Sequence, residues 1–226
     1  MLAVVIGLIS VFFVKAVELA YKIFLHLEPI LGWWLVVYVP SVMLLIVFLL
    51  RKFFPEAEGS GIPQALAISQ LSEDKINSIF ALRSIFSKIL LIFLGTLSGG
   101  TLGREGATVQ IGATVMNQLG YKLSLPRRKI MLIVGAAAGL ASAFNTPLGG
   151  IVFAFEELIK SQRSHIGLLK IAAIAVSGIV TVYFLGNYSY FGRVDRDLLF
   201  FNDWIFLMAI TIGVIAGLIS VVFAKV

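Results

Sequence analysis

Long apolar stretches constrain this sequence more than any other feature. Four of them approach or reach the roughly 20 residues that one membrane crossing needs: Leu2 to Phe24, Leu31 to Leu50, Leu168 to Leu185 and Trp204 to Phe223. Four further segments are too short to cross alone, near 59–71, 107–119, 130–143 and 148–159. An interrupted helix leaves backbone groups unpaired in hydrocarbon and is tolerated only inside protein or beside a polar cavity. The pattern predicts an all-α, polytopic membrane protein whose discontinuous half-helices build a transport site.

The composition supports a membrane location and excludes several functions. The chain is 59% hydrophobic and 13% charged, with a mean hydropathy of +1.01, unlike a soluble domain. Its net charge of +6 fits basic cytoplasmic loops, so we expect a multi-pass protein of the inner or plasma membrane and no nucleic-acid partner. The positive-inside rule makes the following groups cytoplasmic: Arg51/Lys52, Lys75/Arg83, Lys122 to Lys129 and Lys160/Arg163. The stretch from Gly186 to Asp203 is then an outer loop.

The segment Gly59-Ser60-Gly61-Ile62-Pro63 predicts a helix start. Proline suits the first turn of a helix, and the flanking glycines let the backbone approach another group closely. Ser60 would then lie at the cap, beside several free amide groups. Two interpretations are open here, since Ser60 either caps its own helix or takes part in an anion site.

A second helix start is predicted at Gly103-Arg104-Glu105-Gly106, which precedes a short apolar helix. The first amides of such a helix are unpaired and attract an anion. Glu105 is itself an anion at this place. It is a cap, a member of an ion pair, or a gate that steps aside for another anion.

Other intramembrane charges have simpler interpretations. Glu18 and Lys22 are spaced for a helical ion pair, which we prefer to a transport role. Glu156 and Glu157 are likewise spaced to meet Lys160 and Arg163 at an interface. From the residues alone this ion-pair interpretation is preferred to a proton relay.

An internal repeat indicates how the chain is organised. One pattern of residues occurs twice with the same spacing. The first copy is Gly7-Leu8-Ile9-Ser10-Val11 with Phe13 and Lys15, and the second is Gly217-Leu218-Ile219-Ser220-Val221 with Phe223 and Lys225. Internal repeats are common in transporters. We therefore expect one repeat over 1–203 and the first helix of a second over 204–226.

Three segments of the sequence resemble motifs of the CLC family of chloride channels and proton-coupled chloride transporters, and they occur in the order that the family has. They are Gly59 to Pro63, Gly103 to Gly106 with Val109-Gln110-Ile111-Gly112, and Gly135 to Leu140 with Phe144-Asn145-Thr146-Pro147-Leu148. The resemblance covers the whole chain. It implies the first inverted-topology repeat of a CLC-type fold, with chloride and protons as the transported ions and no cofactor or metal.

The resemblance also implies roles for single residues. Ser60 becomes the central chloride ligand, within an anion site formed by Ser60, Gly61, Ile62, Arg104, Glu105, Gly106 and Ala107. Glu105 becomes the gate and external proton acceptor. Glu157 matches the internal proton-transfer glutamate of the exchangers, and Arg104 would anchor its loop or bias the outer vestibule. Serine at position 60 fits a preference for chloride.

The resemblance leaves three functions in view. Proton-coupled exchange is favoured because an acid stands at position 157, whereas a passive voltage- or pH-gated chloride channel is the alternative. The anion-contacting motif and pore tyrosine of the family's second repeat are absent from the sequence. This predicts an incomplete half that pairs with a second copy or with a complementary C-terminal half, or a non-conducting scaffold. The sequence lacks the motifs of an intramembrane serine protease or of a phosphate-binding loop, so we expect no enzyme.

Overall fold

The computed structural model describes residues 1–122, 128–158, 167–186 and 203–224, and within them the chain is helical. The helices are α1 (Leu2–Leu31), α2 (Leu35–Phe53), α3 (Ile62–Leu66), α4 (Glu73–Ile79), α5 (Leu82–Leu97), α6 (Glu105–Lys122), α7 (Arg128–Ala143), α8 (Pro147–Phe153), α9 (Leu168–Leu185) and α10 (Asp203–Ala224). Short 3₁₀ turns occupy Gly32–Trp34, Pro55–Ala57 and Ala67–Ser69, and a π-helical turn follows α8 at Ala154–Leu158.

Three helical stretches in the described part of the chain are long and apolar enough to cross a membrane: Leu2–Phe53, Leu168–Leu185 and Ile205–Phe223. A fourth crossing is possible if α4 and α5, which are bent by 41° at their junction, act as one broken span. These stretches and the short apolar helices agree with an all-α membrane protein. The stretch 2–53 exceeds the length of one crossing and is interrupted at Gly32, whose φ is +48°.

The chain divides into two compact units, residues 1–187 and 188–226. The first contains α1 to α9, and the second contains α10. The sequence predicts a boundary at 203, and that division into repeats stays a prediction. The predicted outer loop lies almost wholly outside the described residues, as do Lys160 and Arg163 and most of the loop 122–129.

The core of the first unit is the pair α6 and α7. Every residue of α7 from Leu132 to Ala143 is buried. A methyl group added at Gly112 would meet the carbonyl oxygen of Gly135, and one at Gly139 would meet that of Thr108. Small residues therefore let the two backbones touch, which is the usual way that helices associate in lipid.

Contacts at their ends show how the neighbouring helices α1, α2 and α5 run relative to one another. The Tyr38 hydroxyl near the start of α2 donates to the Leu97 carbonyl at the end of α5, at 3.3 Å. At the other end, the Arg83 guanidinium of α5 donates to the Phe53 carbonyl that ends α2. α2 thus runs antiparallel to α5. α1 runs parallel to α5, because Phe12 lines a groove with Phe86 while Phe24 packs on Gly99.

Two buried contacts position the end of α7. The hydroxyls of Ser142 on α7 and Ser177 on α9 lie 2.8 Å apart and are both fully buried. Asn145 follows α7 with a φ of +56°, and its side-chain amide donates to the Gly186 carbonyl at 2.8 Å. The break predicted between Phe144 and Pro147 is confirmed, because α7 ends at Ala143 and α8 begins at Pro147.

Candidate functional site

The start of α3 is capped by a side chain that the sequence interpretation overlooked. Gly61 is the N-cap residue, and its N–H donates to the side-chain oxygen of Gln64 at 2.9 Å. The amide nitrogen of Gln64 donates to the Glu58 carbonyl at 2.6 Å. Gln64 therefore fastens the turn that carries Ser60.

Ser60 does not cap α3, so that interpretation is wrong. No side-chain capping bond of a serine is present at α3, and Ser60 precedes the cap residue. Ser60 is exposed, and among the described residues its hydroxyl has no hydrogen-bond partner. The hydroxyl is thus free to donate to a ligand, whereas the Gly61 N–H is already engaged.

α6 begins at Glu105, as predicted, and its first turn lies against the Ser60 turn. A Cβ at Gly61, whose φ is +112°, would collide with the Gly106 carbonyl oxygen. A Cβ at Gly106 would lie 2.9 Å from the Ser60 carbonyl carbon. Only glycines allow this approach. The structure therefore brings together the two helix starts that the sequence singled out.

Glu105 occupies the first position of α6 and is half-buried. Its Oε2 atom lies 2.9 Å from the place that a Cβ on Gly103 would take, so the carboxylate is folded back over the Gly103 backbone. A negative charge in the first turn is stabilised by the helix dipole. Glu105 and an external anion would compete for the same partial positive charge.

Lys88 is a site residue that the sequence interpretation missed. It lies in α5, only 3% of it is exposed, and its ammonium donates to the Gly59 carbonyl, one residue before Ser60. An ammonium has three N–H donors, and the other two have no hydrogen bond within the described part of the chain. A charged residue inside an apolar helix was the available signal. Its partner is 29 residues away in the chain, so spacing could not reveal the contact.

These groups line a cavity of about 280 Å³. Its polar wall is formed by Gly59, Ser60, Lys88 and Gly103, and its apolar wall by Ile46, Leu50, Ala57, Leu91, Ile92 and Leu102. The cavity is large enough for a small hydrated anion. Its charged side chain is the Lys88 ammonium.

Not every predicted anion ligand lines this cavity. Arg104 and Glu105 are half-buried beside it, Ile62 is half-buried in α3, and Ala107 is buried in α6. Thr108 holds the start of α6 through two bonds to the Arg104 carbonyl, from its N–H at 3.0 Å and its hydroxyl at 2.7 Å. Their proposed roles stay predictions.

Gln110 is a buried side chain of α6 that holds the segments around α3 in place. Only 1% of it is exposed, and its side-chain nitrogen donates to the carbonyls of Glu56 at 3.2 Å and Ile79 at 3.0 Å. Its Cβ would be 3.0 Å from a Cβ on Gly61. Gln110 thus links α6 to the segments on either side of α3.

The second acidic position lies in a different part of the chain. Glu157 belongs to the π-helical turn Ala154–Leu158, but its side chain is outside the described residues, so its contacts are not described. Glu156 is exposed, and its predicted partners Lys160 and Arg163 also lie outside the described residues. π-helical turns occur frequently at functional sites. Among the described residues no group of three metal-ligating side chains is present.

Comparisons with known proteins identify relatives. The family described as voltage gated chloride channel matches residues 42–226. A protein named H(+)/Cl(-) exchange transporter ClcA from Cronobacter sakazakii (strain ATCC BAA-894) is 33% identical over 205 residues, which are 85% of this chain and 41% of that protein. The protein of the same name from Citrobacter koseri (strain ATCC BAA-895 / CDC 4225-83 / SGSC4696) is 37% identical over 163 residues, 68% of this chain and 33% of that protein. The chain thus spans about two fifths or less of these relatives' length.

Proposed function

We propose that this chain, which belongs to the voltage gated chloride channel family, forms part of the machinery that moves chloride across a membrane in exchange for protons. The observation that carries the proposal is the meeting of two helix starts at Gly61 and Gly106. A free serine hydroxyl and a buried ammonium lie beside them. Both similar proteins are named as proton/chloride exchange transporters, which favours exchange over passive conduction.

In this proposal chloride binds in the cavity bounded by Ser60 and Lys88. The Ser60 hydroxyl donates to the ion, and the ammonium supplies positive potential without direct ligation. The Gly59 carbonyl accepts one of the N–H groups of Lys88 and partly neutralises its charge, so chloride is held weakly enough to leave again.

Glu105 is the gate and external proton acceptor in the proposed cycle. As a carboxylate it is attracted to the start of α6 and excludes a second anion from that place. When it takes up a proton, its charge is lost and the anion replaces it. One site thus responds to both chloride and protons, and this competition couples their movements.

Glu157 is proposed to pass protons between the site and the cytoplasm by a separate route. Its place in a π-helical turn is the structural support for this role. The substitution Glu157→Gln, whose side chain cannot carry a proton in this way, would then stop proton movement while chloride movement persists. The alternative explanation for Glu156 and Glu157 is an ion pair with Lys160 and Arg163 at the membrane interface.

We extend the proposal to the assembly. The chain would associate with a second copy of itself or with a complementary chain, with the region Leu148 to Leu185 as part of the contact. Exposed apolar residues of α8 and α9 support this choice, among them Leu148, Val152 and Ile179. Cross-linking of single cysteines at Leu148 and Ile179 in native membranes tests it, since a lipid-facing surface would give no specific product.

A binding experiment tests the anion site directly. Chloride titration by calorimetry on the purified protein, made from its complete reading frame, is expected to give a weaker affinity for Ser60→Ala. Ser41→Ala is the matched control, because the Ser41 hydroxyl donates to the Val37 carbonyl of its own helix. Equal affinities of Ser60→Ala and the unchanged protein would contradict the assignment.

A further inference from the structure

A second chamber, with a mostly apolar wall that contains a few polar groups, lies between α1 and the segment that leads from α5 into α6. It has a volume of about 280 Å³, and its walls include Glu18, Tyr21, Thr96, Gly99, Gly100 and Leu102. A water molecule occupies roughly 30 Å³ of liquid, so several waters fit. The chamber is distinct from the anion cavity but shares Leu102 with it.

Thr96 gives the chamber a polar group in need of a partner. Only 7% of Thr96 is exposed, and its buried hydroxyl oxygen has no hydrogen bond within the described part of the chain. Leaving a buried hydroxyl unpaired is costly. A threonine hydroxyl both donates and accepts, so water in the chamber would satisfy it and form a chain through it.

Glu18 gives the chamber an ionisable group. The helical ion pair that the sequence predicts between Glu18 and Lys22 is not formed, and Glu18 has no ion pair with any described residue. Its side chain is exposed within a helix apolar enough to span a membrane. An unpaired carboxylate at such a place is costly, and ionisable residues within membrane spans mark pathways for ions or protons.

The chamber adjoins the gate. Leu102 lines both cavities, and Gly103, its neighbour in the chain, lines the anion cavity. The Glu105 carboxylate is folded against Gly103. Leu102 is thus shared by the two cavities and is followed by Gly103, over whose backbone the proton-accepting Glu105 is folded.

Within the described ranges, no other charged group forms an ion pair with Glu18. The titratable groups that line the chamber are Glu18 and Tyr21. The neighbouring titratable groups on the packed elements are Lys15 and Lys22 on α1, Tyr38 on α2, Lys88 on α5, and Arg104 and Glu105 at the start of α6. Of these, Lys88 donates to Gly59 and Tyr38 donates to Leu97.

We propose that this chamber is the entry site for protons and that Glu18 collects them for Glu105, an inference that rests on the proposed exchange function. A hydronium ion at the chamber mouth gives its proton to the Glu18 carboxylate and becomes water. Neutral Glu18 then releases the proton along the chamber water, which the Thr96 hydroxyl orders. The Glu105 carboxylate takes the proton past Leu102, and Glu18 returns to its charged form.

The test measures proton uptake into liposomes under an imposed chloride gradient, as protons moved per chloride, for the native protein and for Glu18→Gln. A collecting carboxylate matters most where protons are scarce. We expect Glu18→Gln to lower the ratio roughly tenfold at about pH 8, less than the loss of a group that acts in a chemical step itself. At about pH 5 the ratio should recover. Lys22→Gln, one helical turn further along α1, is the matched control and should keep the native ratio at both pH values.

Thr96→Val is the second variant. It replaces the unpaired hydroxyl by a methyl group of the same shape, so the fold is retained, and we expect the same loss at about pH 8 with recovery at about pH 5. The proposal is overturned if Glu18→Gln matches the native protein at every pH, or if both variants lower the ratio equally at both pH values. Absence of chloride-driven proton movement in the native protein would instead refute the exchange function itself.

Discussion

Gly61 and Gly106 face each other so closely that neither can carry a side chain. A Cβ on Gly61 would run into the carbonyl oxygen of Gly106, and a Cβ on Gly106 would lie 3.0 Å from the Cβ of Ser60. This contact joins the start of α3 to the start of α6. The geometry of the proposed anion site depends on it.

Gly61→Ala tests that contact. The φ of +112° at Gly61 is unfavourable for alanine, and the collision adds to a strain of about 1–3 kcal/mol. We expect a lower melting temperature in detergent and a loss of chloride affinity. Gly167→Ala is the control, because Gly167 has a φ of −68° and open space around its Cα. If Gly61→Ala binds chloride as tightly as Gly167→Ala does, the two helix starts do not form the site.

Lys88→Met tests the buried ammonium. The change keeps a long side chain but removes the positive charge and leaves the Gly59 carbonyl without its partner, which costs about 1–3 kcal/mol. We expect weaker chloride binding by calorimetry together with a lower melting temperature.

The control for the buried ammonium is Lys52→Met, which removes an exposed ammonium that lies 5.2 Å from the centre of the Phe48 ring. It should change chloride affinity little. If the two variants bind chloride equally well, the Lys88 charge does not contribute to the anion site.

The buried pair of hydroxyls at Ser142 and Ser177 allows a test of the fold that is independent of transport. Either single alanine change leaves one buried hydroxyl without its partner and should destabilise the protein by about 1–3 kcal/mol. The double change removes both polar groups and should be less destabilising than the sum of the two. Thermal unfolding of all four proteins forms the double-mutant cycle. Strict additivity would show that the 2.8 Å contact contributes nothing.

Local signals in the sequence were sufficient for much of the fold. The span Leu168 to Leu185 is reproduced as α9, because an apolar run bounded by glycines has one plausible structure in a membrane. The break after Ala143 follows from Asn145 and Pro147, which each oppose a continuing helix. The predicted helix after Pro63 is shorter than expected, since α3 ends at Leu66 and a 3₁₀ turn follows.

The candidate site was predicted only in part. The start of α6 at Glu105 depends on local glycines and was correct. The Gln64 cap also had a local signal, because glutamine three residues after a cap position is typical of a capping box. By contrast, the bond from Lys88 to Gly59 and the chamber around Glu18 join distant segments, and they depend on how α1 and α5 pack.

In the proposed function, Glu105 couples the movement of chloride to that of protons. Glu105→Gln keeps the size of the side chain but cannot take up a proton, so proton movement should cease while chloride still passes. Glu58→Gln is the matched control, because Glu58 is another acid near the site, although exposed, and its bond to Gln64 uses only the backbone carbonyl.

The most direct measurement records proton uptake into liposomes that carry the native protein, Glu105→Gln or Glu58→Gln, with chloride release followed in the same sample. We predict chloride-driven proton uptake for the native protein and for Glu58→Gln, and chloride release without proton uptake for Glu105→Gln. Proton uptake that continues in Glu105→Gln would contradict the central claim.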